Sequence, residues 1–161
     1  MTPELATLTW VLVFHAVCWI PYILNQILVR GLVEAVGYPE NPKPLSAWAQ
    51  RAKKAHYNNV ENLVVFAAIV SILNTVGISN ETTVLASTVY LWARVVHYIV
   101  FVAGIPWVRT LAFAVGWLST VLTSFLPFSE TDSDHSNSGP SGPESPENCP
   151  RISHPPPGET S

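Results

Sequence analysis

Four long apolar segments alternate with short polar connections along the first 126 residues of the chain. The first is an uncharged run between Glu4 and Arg30, and its roughly 25 residues exceed the ~20 that a helix needs to cross a bilayer. The pattern predicts spanning helices over about residues 5–29, 45–76, 82–103 and 108–126. We therefore expect an all-α integral membrane protein, a four-transmembrane-helix bundle forming one domain over residues 1–127.

The connections between these segments contain the residues that end helices. Gly77 is expected to stop the second helix, and Ser79 or Asn80 to cap the start of the third. The connection "AGIPW" is short enough to require an antiparallel hairpin between the third and fourth helices. Continuous helix is excluded from the first connection by five residues: Gly31, Gly37, Pro39, Pro42 and Pro44.

Residues 128–161 differ in composition from the rest of the chain. They are rich in Ser, Pro and acidic residues and hold half of the 14 prolines. Such a segment buries too little apolar surface to offset its chain entropy, so we expect a disordered tail. Neither its residues His135, Cys149 and His154 nor any other Cys/His spacing matches a metal site, and no metal is expected.

Composition and charge indicate the surroundings of the chain. It is 48% hydrophobic and 12% charged, with a mean hydropathy of +0.29, which indicates a lipid bilayer as its environment. No basic patch suggests a nucleic-acid partner. Because Lys and Arg occur around the first and third connections but not in the second, the positive-inside rule predicts a multi-pass protein with both termini on the non-cytoplasmic side.

Polar side chains form stripes on two of the predicted helices. On the second, Gln50, Lys54, Asn58 and Glu61 share one face, flanked by Arg51, Tyr57 and Asn62, whereas Trp48, Ala52, Ala55, Leu63 and Phe66 lie opposite. On the third, Tyr90, Arg94, His97 and Phe101 share a face. Their number exceeds what pairing between helices requires, which indicates a polar cavity that suits an anion.

Arg94 lies near the middle of its span, where an arginine facing lipid costs between ~3 and ~15 kcal/mol. It is expected to point into the bundle or at another subunit, with Glu61 as its ionic partner. An alternative is that the Arg94–Glu61 pair only holds two helices together and binds no ligand. Similarly, Lys53 and Lys54 can be anchors at the membrane interface and not ligand-binding residues. His15 on the first span is expected to form a hydrogen bond to another helix.

Two of these segments resemble the MAPEG family, the membrane-associated proteins of eicosanoid and glutathione metabolism. "RAKKAHYNNVEN" is similar to the family's R-x-x-R-A-H-x-N-x-x-E-N pattern. "WARVVHYIVFVAG" followed by "VRT" is similar to the family's A-R-x-x-H-x-x-x-Y, followed by an arginine that opens the fourth helix. The resemblance covers about residues 10–126 and is of the microsomal glutathione transferase type.

The resemblance implies a homotrimer that binds glutathione as co-substrate in a cleft between neighbouring subunits, together with a lipophilic second substrate. Lys54 stands where the family commonly has arginine, and with Arg51 and Arg94 it is expected to receive the glutathione carboxylates. Glu61 would bind the α-ammonium group of glutathione. Asn58 and His97 would bind the peptide amides, His56 matches the family motif, and Arg109 would stabilise the thiolate in catalysis.

The resemblance thus implies a membrane-bound glutathione transferase or peroxidase acting on lipophilic electrophiles or lipid hydroperoxides. Phe101 stands where the family has a tyrosine, which favours an alternative: a non-catalytic MAPEG-like protein that binds glutathione or lipid for a partner. Tyr57, at a position that is often basic in the eicosanoid branch, argues against an eicosanoid synthase. A small transporter using Arg94 and Glu61 is disfavoured because the spans show no internal repeat.

Overall fold

The computed structural model describes residues 1–137, with side chains as far as Phe125. Over that range the chain forms helices and no strand: α1 (Pro3–Cys18), α2 (Ile20–Arg30), α3 (Leu32–Val36), α4 (Ala47–Val76), α5 (Glu81–Ala103) and α6 (Pro106–Asn137). Four segments are long and apolar enough to cross a membrane: Pro3–Arg30, Ala47–Val76, Glu81–Ala103 and Pro106–Phe125. The four predicted spans are therefore confirmed.

The first span is interrupted rather than continuous. Regular α-helix ends at Cys18 and resumes at Ile20, although Trp19 keeps helical dihedral angles (φ −78°, ψ −23°). Pro21 explains the break, because it has no N–H to donate to Val17 and its ring crowds that carbonyl. The predicted helix over residues 5–29 is thus divided into α1 and α2, which together form one span.

The predicted helix ends at the second and third connections are confirmed. α4 stops before Gly77, which adopts the left-handed conformation at φ 76°. Asn80 caps α5, and Thr83 completes a capping box with it. α5 stops before Gly104 at φ 82°, and α6 begins two residues later at Pro106. This short connection makes α5 and α6 the antiparallel hairpin expected from the sequence.

The core lies where α1, α4 and α5 meet. The Phe66 ring on α4 stacks on the Tyr90 ring of α5, with centroids 3.8 Å apart. Leu8, Val11, Leu63 and Val70 surround the two rings and are buried. Of the five side chains predicted to lie opposite the polar stripe of α4, Ala52, Ala55, Leu63 and Phe66 are buried, whereas Trp48 is 40% exposed.

A buried carboxylate joins α1 to α5 at the end of the bundle where both helices begin. Glu4 is only 2% exposed. Its carboxylate accepts hydrogen bonds from the hydroxyls of Ser79 (2.9 and 3.0 Å to its two oxygens) and of Thr83. The negative charge also lies at the N-terminal, partly positive end of α5, which stabilises it.

α6 is longer than the sequence predicted. It continues through Pro127 to Asn137, whereas the prediction ended the helix at residue 126 and placed 128–137 in the disordered tail. Neither Gly nor Pro occurs between Phe128 and Asn137, so nothing in that stretch strongly opposes helix. The rest of the predicted tail, residues 138–161, lies outside the described residues.

Candidate functional site

Three helices contribute to a cavity beside the connection between α5 and α6. Asn58 of α4, His97 and Phe101 of α5, and Arg109 of α6 line it, together with Thr110 and Phe113, and its volume is about 170 Å³. Three of its polar residues, Asn58, His97 and Arg109, are members of the set predicted from sequence. The bundle therefore brings them together although 51 positions separate Asn58 from Arg109.

Two polar atoms of this cavity's lining have no partner among the side chains and backbone that the structure describes. The Asn58 Oδ1 and the His97 Nδ1 are buried and make no hydrogen bond to any of those groups. A buried polar group without a partner costs about 1–3 kcal/mol, so the arrangement gains stability when a ligand or water supplies one. The lining of the cavity thus holds an unpaired amide oxygen and an unpaired imidazole nitrogen in the neighbourhood of the Arg109 cation.

The Arg109 guanidinium is held in the cavity by an aromatic ring. Its Cζ lies 4.6 Å from the centroid of the Phe101 ring, a cation–π contact. Arg109 is on the first turn of α6, where the helix dipole adds partial positive charge. No carboxylate pairs with it among the side chains that the structure describes. This end of the cavity therefore favours an anion.

Arg94 lies next to this cavity and is completely buried. Its Cζ sits 5.0 Å from the Tyr90 ring and 5.5 Å from the ring of Phe113, which also lines the cavity. Its Nη2 donates to the Asn62 Oδ1 at 3.3 Å, while Nε and Nη1 have no hydrogen-bond partner in the part of the chain that the structure describes. The expectation that Arg94 points into the bundle is confirmed.

The predicted ion pair between Arg94 and Glu61 is wrong for the described protomer. Glu61 is exposed, and no bond from it to Arg94 forms within residues 1–125. Asn62, rotated about 100° from Glu61 on the helix, takes the place facing Arg94. The same rotation turns the Glu61 carboxylate out of the bundle.

Close packing around Arg94 depends on Gly116. A Cβ atom at that position would lie 2.8 Å from the Arg94 Nη2 and 3.0 Å from its Cζ. These distances are below ordinary contact, so a side chain at Gly116 would displace the guanidinium. The sequence analysis overlooked Gly116, Thr110 and Phe113, although Thr110 and Phe113 follow Arg109 by one and four positions on α6.

Lys54 belongs to a different cavity, between the first connection and the start of α4. Its volume is about 430 Å³, and it is lined by Arg30, Pro44, Leu45, Gln50, Lys53, Lys54 and Tyr57. The three cations have no acidic residue among them. Lys54 and Arg109 thus do not share a cavity within one protomer, but the cationic cavity suits carboxylates.

Arg51 and His56 are engaged in contacts between helices. The Arg51 Nε donates to the Val102 carbonyl at 2.8 Å, satisfying one of the free carbonyls at the end of α5. The His56 Nδ1 lies 3.0 Å from the Tyr22 hydroxyl on α2. His56 is two positions before Asn58, about 200° around the helix, so it faces away from the Arg109 cavity.

His15 and Tyr98 each contact a backbone carbonyl of α1. His15 was expected to bond to another helix, but its Nδ1 lies 2.6 Å from the Val11 carbonyl of its own helix. This contact lies within α1, and a hydrogen bond from His15 to another helix stays a prediction. The Tyr98 hydroxyl on α5 donates to the Cys18 carbonyl on α1 at 2.9 Å, so Tyr98 faces α1.

Comparisons with known proteins agree with this architecture. A model of the MAPEG family matches residues 7–129, which include the first span from residue 7 onward, the other three spans and every residue of both cavities. Comparison with curated proteins and with solved structures gave no match.

Proposed function

The chain belongs to the MAPEG family, and from this premise we propose that it is a glutathione-dependent transferase or peroxidase acting on lipophilic electrophiles or lipid hydroperoxides. One observation supports the proposal: the cavity lined by Asn58, His97 and Arg109 brings a cation together with two side chains whose buried polar atoms lack partners within the described residues. A nearby cation favours ionisation of a bound thiol, and polar groups around it can position the molecule that carries the thiol.

Arg109 is the residue to which we assign thiolate stabilisation. A free thiol has a pKa of about 8.5, so only a few per cent is thiolate at neutral pH. A guanidinium within hydrogen-bond distance favours the charged form, and the start of α6 adds to that field. The Phe101 ring keeps the guanidinium at the cavity, while the amide of Asn58 and the imidazole of His97 can bind glutathione's polar backbone.

The chemistry follows from the thiolate. With an electrophile, sulfur attacks carbon, a C–S bond forms as the leaving-group bond breaks, and the leaving atom takes up the proton that the thiol released. With a hydroperoxide, sulfur attacks the outer oxygen, the O–O bond breaks and protonation gives an alcohol. A second glutathione then converts the sulfenic acid to a disulfide and water.

The size of the cavity indicates how much of glutathione it can hold. At about 170 Å³ it is smaller than the roughly 300 Å³ at which small-molecule sites begin, so it accommodates the thiol-bearing part alone. The larger cavity with Arg30, Lys53 and Lys54 offers the cations that the two carboxylates need. In the homotrimer that we propose, cavities of neighbouring protomers combine into one glutathione site, with exposed Glu61 available for the ammonium group.

Replacing Arg109 by leucine tests the proposal. We expect Arg109→Leu to lower kcat by about 10²–10³, the loss typical of removing one preorganised donor, and to abolish the ultraviolet thiolate absorbance that develops when glutathione binds. Lys43→Leu is the matched control, because Lys43 is an exposed cation outside both cavities. Full turnover and an intact thiolate signal in Arg109→Leu would contradict the assignment.

A second candidate function rests on Phe101. The Phe101 ring stacks on Arg109 and carries no hydroxyl to contact a thiol, which favours a protein that binds glutathione or lipid for a partner without catalysis. The same spectroscopy separates the two functions. Wild-type protein that binds glutathione without developing thiolate absorbance supports the binding protein, and thiolate formation with turnover supports the enzyme.

A further inference from the structure

The cationic cavity holds more positive charge than glutathione balances. Arg30, Lys53 and Lys54 line it together with uncharged residues, and no carboxylate belongs to the lining. Glutathione carries two carboxylates and one ammonium group, a net charge of about −1 at neutral pH. Three cations around one cavity repel each other unless an anion lies between them. The cavity therefore suits a group with more negative charge and more acceptor oxygens than one carboxylate, and a phosphate monoester is such a group.

Two of the three cations have N–H donors left for a ligand. The Arg30 Nε donates to the Lys43 carbonyl at 2.7 Å, and its Nη1 and Nη2 make no further bond to the residues that the structure describes. The Lys53 Nζ lies 5.8 Å from the centroid of the Tyr57 ring, which also lines the cavity. A guanidinium presents its outer nitrogens as a fork that matches the oxygens of a phosphate group.

The cavity lies at the level of lipid headgroups. α4 has 30 residues and is therefore about 45 Å long, which exceeds the hydrocarbon core of a bilayer by about 15 Å or ten residues. No charged residue follows Glu61 in α4, so the excess length lies in the first turns, which contain Lys53 and Lys54. Arg30 is the last residue of α2 and ends the first span. The three cations thus lie where hydrocarbon ends and phosphate groups begin.

A face of α4 leads from this cavity toward the hydrocarbon. Lys53, Tyr57, Val60 and Val64 recur at spacings of four, three and four, so they share that face. Tyr57 is 56%, Val60 37% and Val64 66% exposed. The face changes from an ammonium group through an aromatic ring to aliphatic side chains, in the order in which a phospholipid changes from headgroup through interface to acyl chain. A soluble phosphate would contact only the first of these.

The connection that borders the cavity also presents apolar side chains. Leu32, Val33 and Val36 of α3 are 64%, 87% and 76% exposed, and they follow Arg30 directly. Apolar side chains this open are stable against lipid rather than in water, so the connection is expected to lie on the bilayer surface. The acids nearest to the cavity in sequence lie outside its lining: Glu34, Glu40 and Glu61.

We propose that the phosphate group of an anionic phospholipid binds in the cationic cavity and competes there with the carboxylates of glutathione. The anionic lipid content of the bilayer then sets how strongly the protein binds glutathione. The competition rests on the proposed function, whereas the phospholipid site rests on the three cations and the exposed face of α4. A soluble phosphate has the same anionic chemistry and is the competing source.

Native mass spectrometry of the full chain in detergent tests the phospholipid site. The probes are phosphatidic acid and phosphatidylcholine with identical acyl chains, and we expect the wild-type protein to retain the first and not the second. Lys53→Gln should weaken retention of phosphatidic acid about fivefold, which corresponds to the ~1 kcal/mol of one lysine at an anionic surface. Lys43→Gln is the matched control, because it removes an equal charge from an exposed residue outside the cavity.

Competition with glutathione is the second measurement. Equilibrium dialysis of the full chain in nanodiscs compares the Kd of glutathione in phosphatidylcholine with its Kd when phosphatidic acid is added in excess. The negative surface of the second bilayer lowers the local concentration of glutathione by the same factor in every variant. We therefore expect the ratio of the two Kd values to be about fivefold larger in wild-type and Lys43→Gln protein than in Lys53→Gln protein.

The outcomes separate this inference from the proposed function. Equal retention of the two lipids, or equal losses in Lys53→Gln and Lys43→Gln, would overturn the phospholipid site. Inorganic phosphate that displaces phosphatidic acid at equal concentration would assign the cavity to a soluble anion and overturn the lipid source. Glutathione binding that falls by one factor in all three proteins would overturn the competition. Selective retention of phosphatidic acid by a protein that binds no glutathione would overturn the proposed function and support the phospholipid site.

Discussion

At the scale of single residues, the stacked pair of Phe101 and Arg109 determines what the candidate site can do. The phenyl ring positions the guanidinium at the cavity but adds no hydroxyl to it. His97 lies beside the same ring, with centroids 5.6 Å apart, and its Nδ1 has no partner. The thiolate is therefore expected to depend on one cation and on the groups around it.

Substituting tyrosine for Phe101 introduces the missing hydroxyl. We expect Phe101→Tyr to raise kcat and the bound thiolate fraction about tenfold, the effect of one hydrogen bond to a charged group. The measurement is turnover of glutathione with a small electrophile, read together with thiolate absorbance. Phe101→Leu is the control, because it removes the ring without adding a donor. If Phe101→Leu raises turnover as much as Phe101→Tyr does, the increase comes from the release of Arg109 from the ring and not from the added hydroxyl.

At the scale of helices, the spans are tied together by a few buried polar contacts near their ends. Glu4 joins α1 to the start of α5, and Arg51 joins α4 to the end of α5. Asn25 on α2 bonds to the hydroxyl of Ser46 at 3.0 Å and accepts from its N–H at 3.1 Å, just before α4. Contacts between apolar side chains in lipid gain little from exclusion of water, so these polar contacts are expected to matter for stability.

Removing the Thr83 hydroxyl tests the contact at Glu4. Thr83→Val deletes one donor to the buried carboxylate and half of the capping box, and should lower the free energy of unfolding by about 1–3 kcal/mol. Thermal unfolding in detergent measures it, with Thr82→Val as the matched control because the neighbouring hydroxyl makes no such bond. Equal melting temperatures for both variants would show that the carboxylate contact does not contribute to stability.

At the scale of the whole molecule, one protomer presents two separate cavities, one at Arg109 and one at Lys54, which we propose to be parts of one glutathione site. Glu61 is at the middle of the 30-residue helix α4 yet exposed, and a carboxylate at that depth is costly when it faces lipid. A neighbouring protomer is the simplest cover for Glu61, and it would bring the cationic cavity closer to Arg109. The non-cytoplasmic location of both termini stays a prediction.

The mass of the protein in solution tests the proposed homotrimer directly. Light scattering on the detergent-solubilised protein should give a protein mass three times the 17.6 kDa of the chain. Glu61→Lys, which reverses the charge on the face to be covered, should reduce that mass, whereas Glu34→Lys in the exposed α3 segment should leave it unchanged. A monomeric mass for the wild-type protein would contradict both the trimer and a glutathione site between subunits.

Much of this molecule follows from short-range features of the chain. Length and hydropathy determine the four spans, because a bilayer requires about 20 apolar residues per helix. Gly77 and Asn80 end and begin helices through local backbone geometry, and helical spacing places Arg94 and His97 on one buried face. These outcomes depend on residues within a few turns of each other, so the sequence alone predicted them.

Only the tertiary structure decided which polar side chains meet. Asn62 and not Glu61 faces Arg94, and His56 bonds to Tyr22 while Asn58 two positions later lines the Arg109 cavity. Which side chain faces a neighbouring helix depends on the rotation of each helix about its axis. Successive side chains point in directions about 100° apart. Helical periodicity groups side chains into faces, but the packing of α4 against α2, α5 and α6 sets where each face points.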